Sequence, residues 1–284
     1  MTHVATSVAL AKFDTLGYVV LPNFLPLESV AMARRGLARL VDQCAGDLRA
    51  AGRIRNTFQD SPFEERLFHL YEGCPEEAPS FWRAELHLAE LFDVFFHQPL
   101  LDVVERLIGP EIRLYPNYTV RPKLPDHPQT LVLWHQDGGY TEHWHKAADG
   151  DVSELGMINA WTPLVPATVQ NGCLQFIPGS HRLGLLPHEQ REHYLEIARE
   201  TLDKIEGEAV ALELNPGDVV LFHNLLCHRG LPNQSSTIRW SADWRYQRAD
   251  QPTLRVEQGH LARSQQFPHQ VIRNSAAWAA ESFR

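Results

Sequence analysis

The feature that most constrains this chain is a series of short apolar runs separated by turn residues, from Glu111 to about residue 248. Runs of this length, ended by Pro, Gly or Asn, are typical of β-strands. Before the last of them, Asn215-Pro216-Gly217-Asp218 has Pro and Gly in the order that a tight turn favours. The pattern predicts a β-sandwich or barrel, interrupted by one helical stretch over about His188–Ile205. The predicted strands are Ile112–Tyr115, Gln129–Trp134, Gly156–Trp161, Cys173–Ile177 and Asp218–Phe222.

Helices are predicted mainly before residue 110. A short strand, Gly17–Pro22, precedes a helix over Leu27–Val41, whose apolar positions recur at helical spacing. Two further helices are predicted over about Ala84–Phe96 and over Pro99–Ile108, the second ended by Gly109-Pro110. We therefore expect a mainly β protein with flanking helices, built as one domain. Its parts would be a helix-rich segment (about 1–110), a β core (about 111–248) and a C-terminal extension (249–284).

Composition narrows the classes of protein that this chain can represent. Of its 284 residues 44% are hydrophobic and 21% charged, which is ordinary globular usage and favours a folded core over disorder. No run approaches the roughly 18 consecutive apolar residues of a membrane helix. A net charge of −9 argues against a nucleic-acid partner. Four dispersed cysteines and an N-terminus unlike a signal peptide predict reduced thiols and a cytoplasmic protein.

The first candidate for chemistry is the tetrapeptide Trp134-His135-Gln136-Asp137. Alternate residues of a strand point to the same face, so His135 and Asp137 would project together. An imidazole and a carboxylate on one face can ligate a divalent metal. A hydrogen-bonded His–Asp pair explains the same residues, and the motif by itself leaves both interpretations open.

His228, which follows the strand predicted at 218–222, offers a third ligand. A β barrel that brought it to His135 and Asp137 would complete a 2-His-1-carboxylate facial triad. Such a triad holds Fe(II) by one face and leaves positions open for a cosubstrate and dioxygen. Arg239, further along the chain, can hold a terminal carboxylate in a bidentate fork, and 2-oxoglutarate ends in such a carboxylate. Without the triad, a surface salt bridge is the simpler interpretation of Arg239.

Together these motifs resemble the phytanoyl-CoA dioxygenase family of Fe(II)- and 2-oxoglutarate-dependent oxygenases. The resemblance covers about residues 14–248, and it is the combination of motifs in this order that is specific. The motifs are Trp134–Asp137, Asn171–His181, Pro216-Gly217-Asp218, His228 with Pro232-Asn233, and Arg239. The family fold is a double-stranded β-helix, a cupin-like jelly roll with flanking helices, which agrees with the predicted strands.

The resemblance implies roles for six residues. It implies iron ligation by His135, Asp137 and His228, and cosubstrate binding by Arg239, Trp161 and Asn117. Halogenating relatives have a small residue in place of the carboxylate ligand. Because this chain keeps Asp137, the resemblance favours hydroxylation or a related oxidation.

Several neighbouring residues have plainer interpretations. His223 is the rival third ligand, but it lies five residues from His228, and the two would face opposite sides of a regular strand. A packed histidine is therefore expected there. Cys227 is expected to be a buried apolar residue rather than a zinc ligand. Trp240 and Trp244 are expected in the core, where large aromatic side chains are commonest.

Other residues stay undecided. The loop Tyr140–His145 is rich in aromatic and histidine residues, and it is either a solvated loop or a substrate-facing lid. Arg245, Tyr246 and Arg248 either meet an acidic substrate or lie on the surface. His181 is expected to belong to a turn rather than to a metal site.

The resulting prediction is a dioxygenase that uses Fe(II), 2-oxoglutarate and O2. By the resemblance, it would release succinate and CO2 while oxidising an unactivated C–H bond of a small metabolite or natural product. Neither nucleic acid nor membrane is an expected partner. Two alternatives stay open: a cupin-type metalloenzyme that does not use 2-oxoglutarate, and a non-catalytic small-molecule binding protein on the same barrel.

Overall fold

The computed structural model describes residues 11–127, 130–191 and 194–282. Within these residues the chain forms two large antiparallel sheets and a separate hairpin. The strands are β1 (Tyr18–Leu21), β2 (Phe81–Trp82), β3 (Ile112–Leu114), β4 (Thr119–Lys123), β5 (Val132–His135), β6 (Met157–Pro163), β7 (Leu174–Phe176), β8 (His188–Gln190), β9 (Leu195–Ile197), β10 (Val210–Leu212), β11 (Val219–His223), β12 (His228–Gly230), β13 (Arg239–Arg248) and β14 (His260–Arg263).

The two large sheets enclose the interior that carries the candidate site. The larger follows the order β1-β11-β6-β13-β3-β14, with β4 paired to both β13 and β2, and the smaller follows β10-β7-β12-β5. Apolar residues from both sheets share one cluster, with Trp161 and Phe222 from the larger and Leu174 and Phe176 from the smaller. Two antiparallel sheets packed in this way are the predicted jelly-roll core with flanking helices.

Helices pack against the larger sheet from the side opposite the smaller one. On β11, Val220 and Phe222 join the cluster between the sheets, whereas Val219 and Leu221 join the helical cluster, because successive side chains of a strand face opposite ways. The α-helices are α1 (Leu27–Ala50), α2 (Phe63–Leu70), α3 (Phe92–Phe95), α4 (Gln98–Ile108), α5 (Asp137–Tyr140), α6 (Arg199–Leu202) and α7 (Ser275–Ala280).

The long helix and most strands lie close to where the sequence predicts them. The apolar positions at helical spacing in α1 are all buried, and α1 continues to Ala50 because Ala45 and Leu48 extend the same buried stripe. Each predicted strand is present, with ends shifted by up to three residues. Gln129, the first residue of one predicted strand, lies outside the described residues.

The helix predicted over Ala84–Phe96 is wrong as a continuous element. The segment consists of two 3-10 turns, Arg83–Leu86 and Ala89–Leu91, followed by the single turn α3. The C-terminal segment contacts Leu86 and His87 in this segment, and these contacts replace part of the hydrogen bonding of a continuous helix. The Leu86 carbonyl accepts a hydrogen bond from Trp278 Nε1, and His87 Nδ1 lies 2.6 Å from the Glu281 carbonyl oxygen.

The helical stretch predicted over His188–Ile205 is also wrong for most of its length. β8 and β9 form an antiparallel hairpin, in which His188 pairs with Ile197 and Gln190 with Leu195, and only α6 is helical. In β9, buried Leu195 and Ile197 alternate with the half-buried Glu196, which is the period of a strand rather than of a helix. Residues 192–193 lie outside the described part of the chain.

The larger sheet draws strands from all three predicted segments. β1 comes from the helix-rich segment and pairs with β11, and β14 comes from the C-terminal extension and pairs with β3. Residues 1–10 and 283–284 of these segments lie outside the described residues. In the part of the chain that the structure describes, no helix is both long enough and apolar enough to cross a membrane.

Candidate metal centre

The two histidines of the predicted triad lie side by side on neighbouring strands of the smaller sheet. His135 ends β5 and His228 begins β12, and the register of these strands places them directly opposite each other. After β5, Gln136 keeps an extended backbone with φ −116° and ψ 136°, and Asp137 then begins α5. Asp137 therefore projects on the same side as His135, as alternation along an extended chain predicts.

The three side chains converge on one point in the interior. One ligand atom from each of His135, Asp137 and His228 lies within 4.8 Å of the other two. The Nε2 atom of His135 is 3.7 Å from Asp137 Oδ1, and that of His228 is 3.8 Å from Asp137 Oδ2. All three residues are buried. Among the described residues, no other set of three or more His, Cys, Asp or Glu side chains converges in this way.

Backbone carbonyls set the tautomer of both histidines. His135 Nδ1 lies 2.8 Å from the Leu133 carbonyl oxygen, and His228 Nδ1 lies 2.9 Å from that of Leu226. Because a carbonyl can only accept, each Nδ1 carries a proton, and Nε2 is the ring atom left to face Asp137. Burial, helped by the neighbouring His135, lowers the pKa of His228 to about 3 and keeps its ring neutral.

Arg245 keeps the Asp137 carboxylate ionised. Burial alone would raise the pKa of this carboxyl, but the positive charge of the Arg245 guanidinium outweighs it and holds the pKa well below its usual range. Arg245 Nη2 donates a hydrogen bond to Asp137 Oδ1. When the Asn117 side-chain amide is oriented with its oxygen toward Arg245, that oxygen accepts a hydrogen bond from Arg245 Nη2 at 3.0 Å. A deprotonated carboxylate is the state in which this side chain can ligate a metal ion.

Gln136, the residue between the first two candidate ligands, ties their segment to the rest of the site. Its side-chain nitrogen donates to the carbonyls of Leu225 at 2.6 Å and Gly184 at 2.8 Å, and its side-chain oxygen accepts from the Leu186 N–H at 2.7 Å. Its own backbone N–H donates to His188 Nε2 at 3.2 Å. This buried amide therefore links the end of β5 to the chain that leads into β12.

Two buried cations lie together elsewhere in the interior. Arg239 on β13 and Lys123 on β4 are direct neighbours in the strand register. Arg239 Nε donates to the Gly172 carbonyl at 3.2 Å and its Nη1 to the Ser241 hydroxyl, while Lys123 Nζ donates to the Thr130 carbonyl at 2.9 Å. Among the described residues, neither cation forms an ion pair with a carboxylate.

The surroundings of this cation pair favour a bound anion. Burial lowers the pKa of Arg239 to about 10, and burial together with Arg239 lowers that of Lys123 well below its usual value. Glycines make room for the lysine: a Cβ on Gly230 would lie 3.3 Å from Lys123 Nζ, and a Cβ on Gly172 2.7 Å from Lys123 Cε. Two buried, unpaired positive charges are costly, and a dianion would offset that cost.

The two remaining predicted site residues border different parts of this interior. Trp161 is buried on β6, and the Arg239 guanidinium lies 5.5 Å from the centre of its ring. Asn117 lines a cavity of about 630 Å³ that reaches His135 and Asp137. Trp161 is thus placed beside the cation pair and Asn117 beside the triad.

His223 and Cys227 have the packed positions that the sequence predicts. His223 ends β11, its ring lies 5.2 Å from that of His181, and neither residue belongs to the converging group of three. Burial lowers the pKa of His223 to about 4. Cys227 is fully buried beside Trp134 and Ile177. Trp240 and Trp244 are likewise confirmed in the core.

The undecided residues divide between the cavity and the surface. Tyr140 and Trp144 line the cavity, within a helical turn that continues as a π-helical turn over Thr141–His145. The side chain of His145 lies outside the described residues. Arg248 is an exposed partner of Asp250.

Neither Arg245 nor Tyr246 lies on the surface, because both are buried. Arg245 lines the cavity beside the triad, so the alternative in which it meets an acidic substrate stays open for this residue. Arg245 contacts the Asp137 carboxylate, and the Tyr246 hydroxyl donates to the Phe95 carbonyl at 2.7 Å. Sequence reasoning did not single out Lys123 or Gln136. The available signal for Lys123 was its alternation with Arg121 between the apolar residues of β4.

Comparison with known proteins identifies the family. The family described as "Phytanoyl-CoA dioxygenase (PhyH)" matches residues 13–241. The chain belongs to this family. Membership in the PhyH family confirms the resemblance seen in the motifs, and the match includes every residue singled out for the metal site and for cosubstrate binding.

Two curated relatives illustrate the range of the PhyH family. The chain is 32% identical over 170 residues to "1-deoxypentalenic acid 11-beta-hydroxylase" of Streptomyces arenae, covering 55% of this chain and 56% of that protein. It therefore spans about half the length of that relative. It is 29% identical over 252 residues to "Phytanoyl-CoA dioxygenase 1" of Oryza sativa subsp. japonica, covering 82% and 86% of the two chains.

Solved structures share the fold. The apo structure of ThoJ, described as a non-heme monooxygenase, has a TM-score of 0.59 and 26% identity over 89% of this chain and 83% of its own. EctD from S. alaskensis, solved with 2-oxoglutarate and 5-hydroxyectoine, has a TM-score of 0.60 and 21% identity over 99% and 87%. The predicted jelly-roll class is confirmed by these matches.

Proposed function

We propose that this protein is an Fe(II)- and 2-oxoglutarate-dependent dioxygenase that oxidises, in the simplest case hydroxylates, a C–H bond of a small metabolite or natural product. The observation that carries the proposal is the buried convergence of His135, Asp137 and His228. Membership in the PhyH family, and the hydroxylase and dioxygenase names of the relatives, support the same reaction class.

The donor set fits a ferrous ion. Two neutral imidazoles offer Nε2 lone pairs, and one ionised carboxylate completes the 2-His-1-carboxylate set that is diagnostic of non-haem Fe(II) oxygenases. His135, Asp137 and His228 would hold the ion from one side. Arg245 would keep the Asp137 carboxylate oriented and charged, and the carbonyls of Leu133 and Leu226 would keep both rings in the ligating tautomer.

The cation pair fits the cosubstrate. 2-Oxoglutarate carries two carboxylates, and Arg239 with Lys123 would bind the one remote from the metal, with the Trp161 ring beside them. Asn117 would line the cavity next to the metal. This pair argues against the cupin-type alternative, which has no use for two buried cations.

When bound, iron and 2-oxoglutarate supply the oxidation, with loss of CO2 and formation of succinate. The chain's own residues orient the reactants and exclude water. Gln136 fixes the first two ligands relative to the segment that carries the third. The cavity beside His135 and Asp137 would receive the substrate and hold one C–H bond close to the metal.

The proposal is tested by anaerobic titration of the Fe(II)-loaded protein with 2-oxoglutarate. The wild type should develop the visible charge-transfer absorption of an Fe(II)–2-oxoglutarate chelate and should form succinate slowly when air is admitted. Asp137→Ala and His228→Ala should lose both signals, and Arg239→Met should need far more 2-oxoglutarate. His223→Gln, which alters a half-buried histidine outside the triad, should retain both.

Two outcomes would contradict parts of this assignment. Succinate formation by purified Asp137→Ala would reject the ligand set. Metal-dependent turnover of a substrate without succinate, and without any effect of Arg239→Met, would reject 2-oxoglutarate and favour the cupin-type alternative.

A further inference from the structure

A guanidinium, that of Arg121, lines the cavity beside the triad. Arg121 lies on β4, and its Nε donates to Asp243 Oδ2 at 3.0 Å. Its guanidinium carbon lies 4.8 Å from the centre of the Trp82 ring. The carboxylate and the indole hold the group in place, yet 36% of the side chain is exposed. Among the residues that the structure describes, its two terminal nitrogens have no hydrogen-bond partner.

The other cations near the site already have partners. Arg245 donates to Asp137, Arg83 pairs with Glu257 at 3.2 Å, and Lys123 donates to a backbone carbonyl. Arg121 uses only Nε for its own ion pair, which leaves its two terminal nitrogens to donate two parallel hydrogen bonds to a carboxylate. It lines the same cavity as His135 and Asp137.

The rest of the cavity wall is aromatic. Trp82 and Trp144 are each 40% exposed, which is high for indoles, and both line the cavity with Tyr140 and Tyr194. Binding sites for small molecules combine such apolar walls with a few fixed polar groups, and about 630 Å³ is within their usual range. An exposed aromatic wall favours a ligand that has an apolar body to pack against it.

We infer that the substrate is a small monocarboxylic acid with an apolar body, its carboxylate bound by the Arg121 fork and its body packed against Trp82 and Trp144. The inference rests on the proposed function, since it gives the substrate class of that same site. A carboxylate is favoured over a phosphate because one planar fork matches its two oxygens and its single charge. A phosphate monoester carries more charge and a third oxygen, for which the described wall offers no second unpaired cation.

The test compares each acid with an uncharged counterpart of the same shape. Isothermal titration calorimetry would use 2-naphthylacetic, cyclohexylacetic and dodecanoic acids, each beside its primary amide, together with 2-naphthyl phosphate. The titrations are run on the anaerobic Fe(II)–2-oxoglutarate complex and on metal-free protein. At least one acid should bind about tenfold more tightly than its amide, as a charge-assisted fork predicts.

Variants of Arg121 then test whether this residue causes the tighter binding of the acid over its amide. Arg121→Gln should reduce it to less than about threefold, and Arg121→Lys should restore part of it. Because Arg121→Gln leaves Asp243 without its partner, the double variant Arg121→Gln/Asp243→Asn tests the same loss without an unbalanced buried charge. Arg248→Gln, at an exposed arginine paired with Asp250, is the matched control and should keep the full preference.

The outcomes separate this inference from the proposed function. Equal binding of acids and amides, no binding of any acid, or tighter binding of the phosphate would overturn the substrate class. So would a loss of 2-oxoglutarate affinity in Arg121→Gln with the acid preference unchanged, since Arg121 would then belong to the cosubstrate site. Failure of the wild type to form the Fe(II)–2-oxoglutarate absorption would instead reject the proposed function.

Discussion

Lys123 and Arg239 show at the scale of single residues how a binding site can cost stability. Both are buried, they face each other across β4 and β13, and in the described structure no carboxylate balances them. Removing one partner of a balanced buried pair destabilises a protein, but removing one of two like charges relieves a desolvation cost. The two residues should therefore weaken the free protein and strengthen binding of a dicarboxylate.

Lys123→Met should separate these two effects. The substitution keeps the length of the side chain and removes the charge, so the free energy of unfolding without 2-oxoglutarate should rise by about 1–3 kcal/mol. The dissociation constant of 2-oxoglutarate should increase by about tenfold to a hundredfold. Urea unfolding and anaerobic titration measure the two quantities, and Lys146→Met, at a surface lysine paired with Glu142, is the control. An unchanged 2-oxoglutarate affinity would exclude Lys123 from the cosubstrate site.

What the sequence revealed at this scale depended on motif and spacing. The pair His135 and Asp137 follows from alternation, and His228 from its place after a strand, and the structure brings these three together. Lys123 was not singled out, and the contact of Arg245 with Asp137 was not predicted, because the importance of both residues lies in burial and in the cation or carboxylate opposite them. A sequence does not state which partner a charged residue meets across a sheet.

Elements were predictable where local pattern and tertiary packing agree. The apolar residues of α1 recur at helical spacing, and the strands are bounded by Pro and Gly. The positions of both kinds of element therefore follow from the sequence. The segment 84–96 has a composition that favours a helix. However, the Leu86 carbonyl accepts a hydrogen bond from Trp278 Nε1, almost two hundred residues later in the chain. Long-range contacts of this kind override local propensity and cannot be read from a window of sequence.

The same contact makes the C-terminal helix α7 a structural part of the fold. Trp278 is fully buried, its ring lies 4.2 Å from that of His87 and 5.2 Å from that of Phe96, and it lies beyond the residues that the family match covers. Trp278→Ala should lower the free energy of unfolding by about 3–5 kcal/mol, because it removes a large buried side chain and leaves a cavity.

Phe267→Ala is the matched control for this prediction. Phe267 is an aromatic residue of the same C-terminal segment, but it is 47% exposed, so its loss should change the unfolding free energy by less than about 0.5 kcal/mol. Urea denaturation of both variants gives the comparison. Similar values for the two variants would show that α7 does not stabilise the molecule.

At the scale of the whole molecule, half-buried histidines couple stability to pH. Among the described residues outside the triad, partial burial lowers the pKa of five histidines, namely His87, His97, His181, His188 and His223, and for His188 and His223 it does so to about 4. These residues come from different parts of the chain, so the effect belongs to the fold rather than to one site. In the unfolded chain each histidine has its ordinary pKa near 6.5.

The sign of the effect follows from proton binding. Between about pH 6.5 and pH 4 the unfolded chain binds protons that the folded protein excludes, so stability should fall as the pH falls through this window. Below about pH 4, His188 and His223 are protonated in both states and add no further loss. Each of these two should contribute on the order of 3 kcal/mol across the window.

Urea unfolding of the metal-free protein at pH 7.5, 6.5, 5.5 and 4.5 tests this coupling. His223→Gln removes one titrating group but keeps a polar side chain, so its stability should decline less steeply with falling pH than that of the wild type, whatever its absolute value. His269→Gln, at an exposed histidine, should follow the wild-type slope. If stability were constant from pH 7.5 to 4.5, or if His223→Gln kept the wild-type slope, burial of neutral histidines could not be what limits the acid stability of this fold.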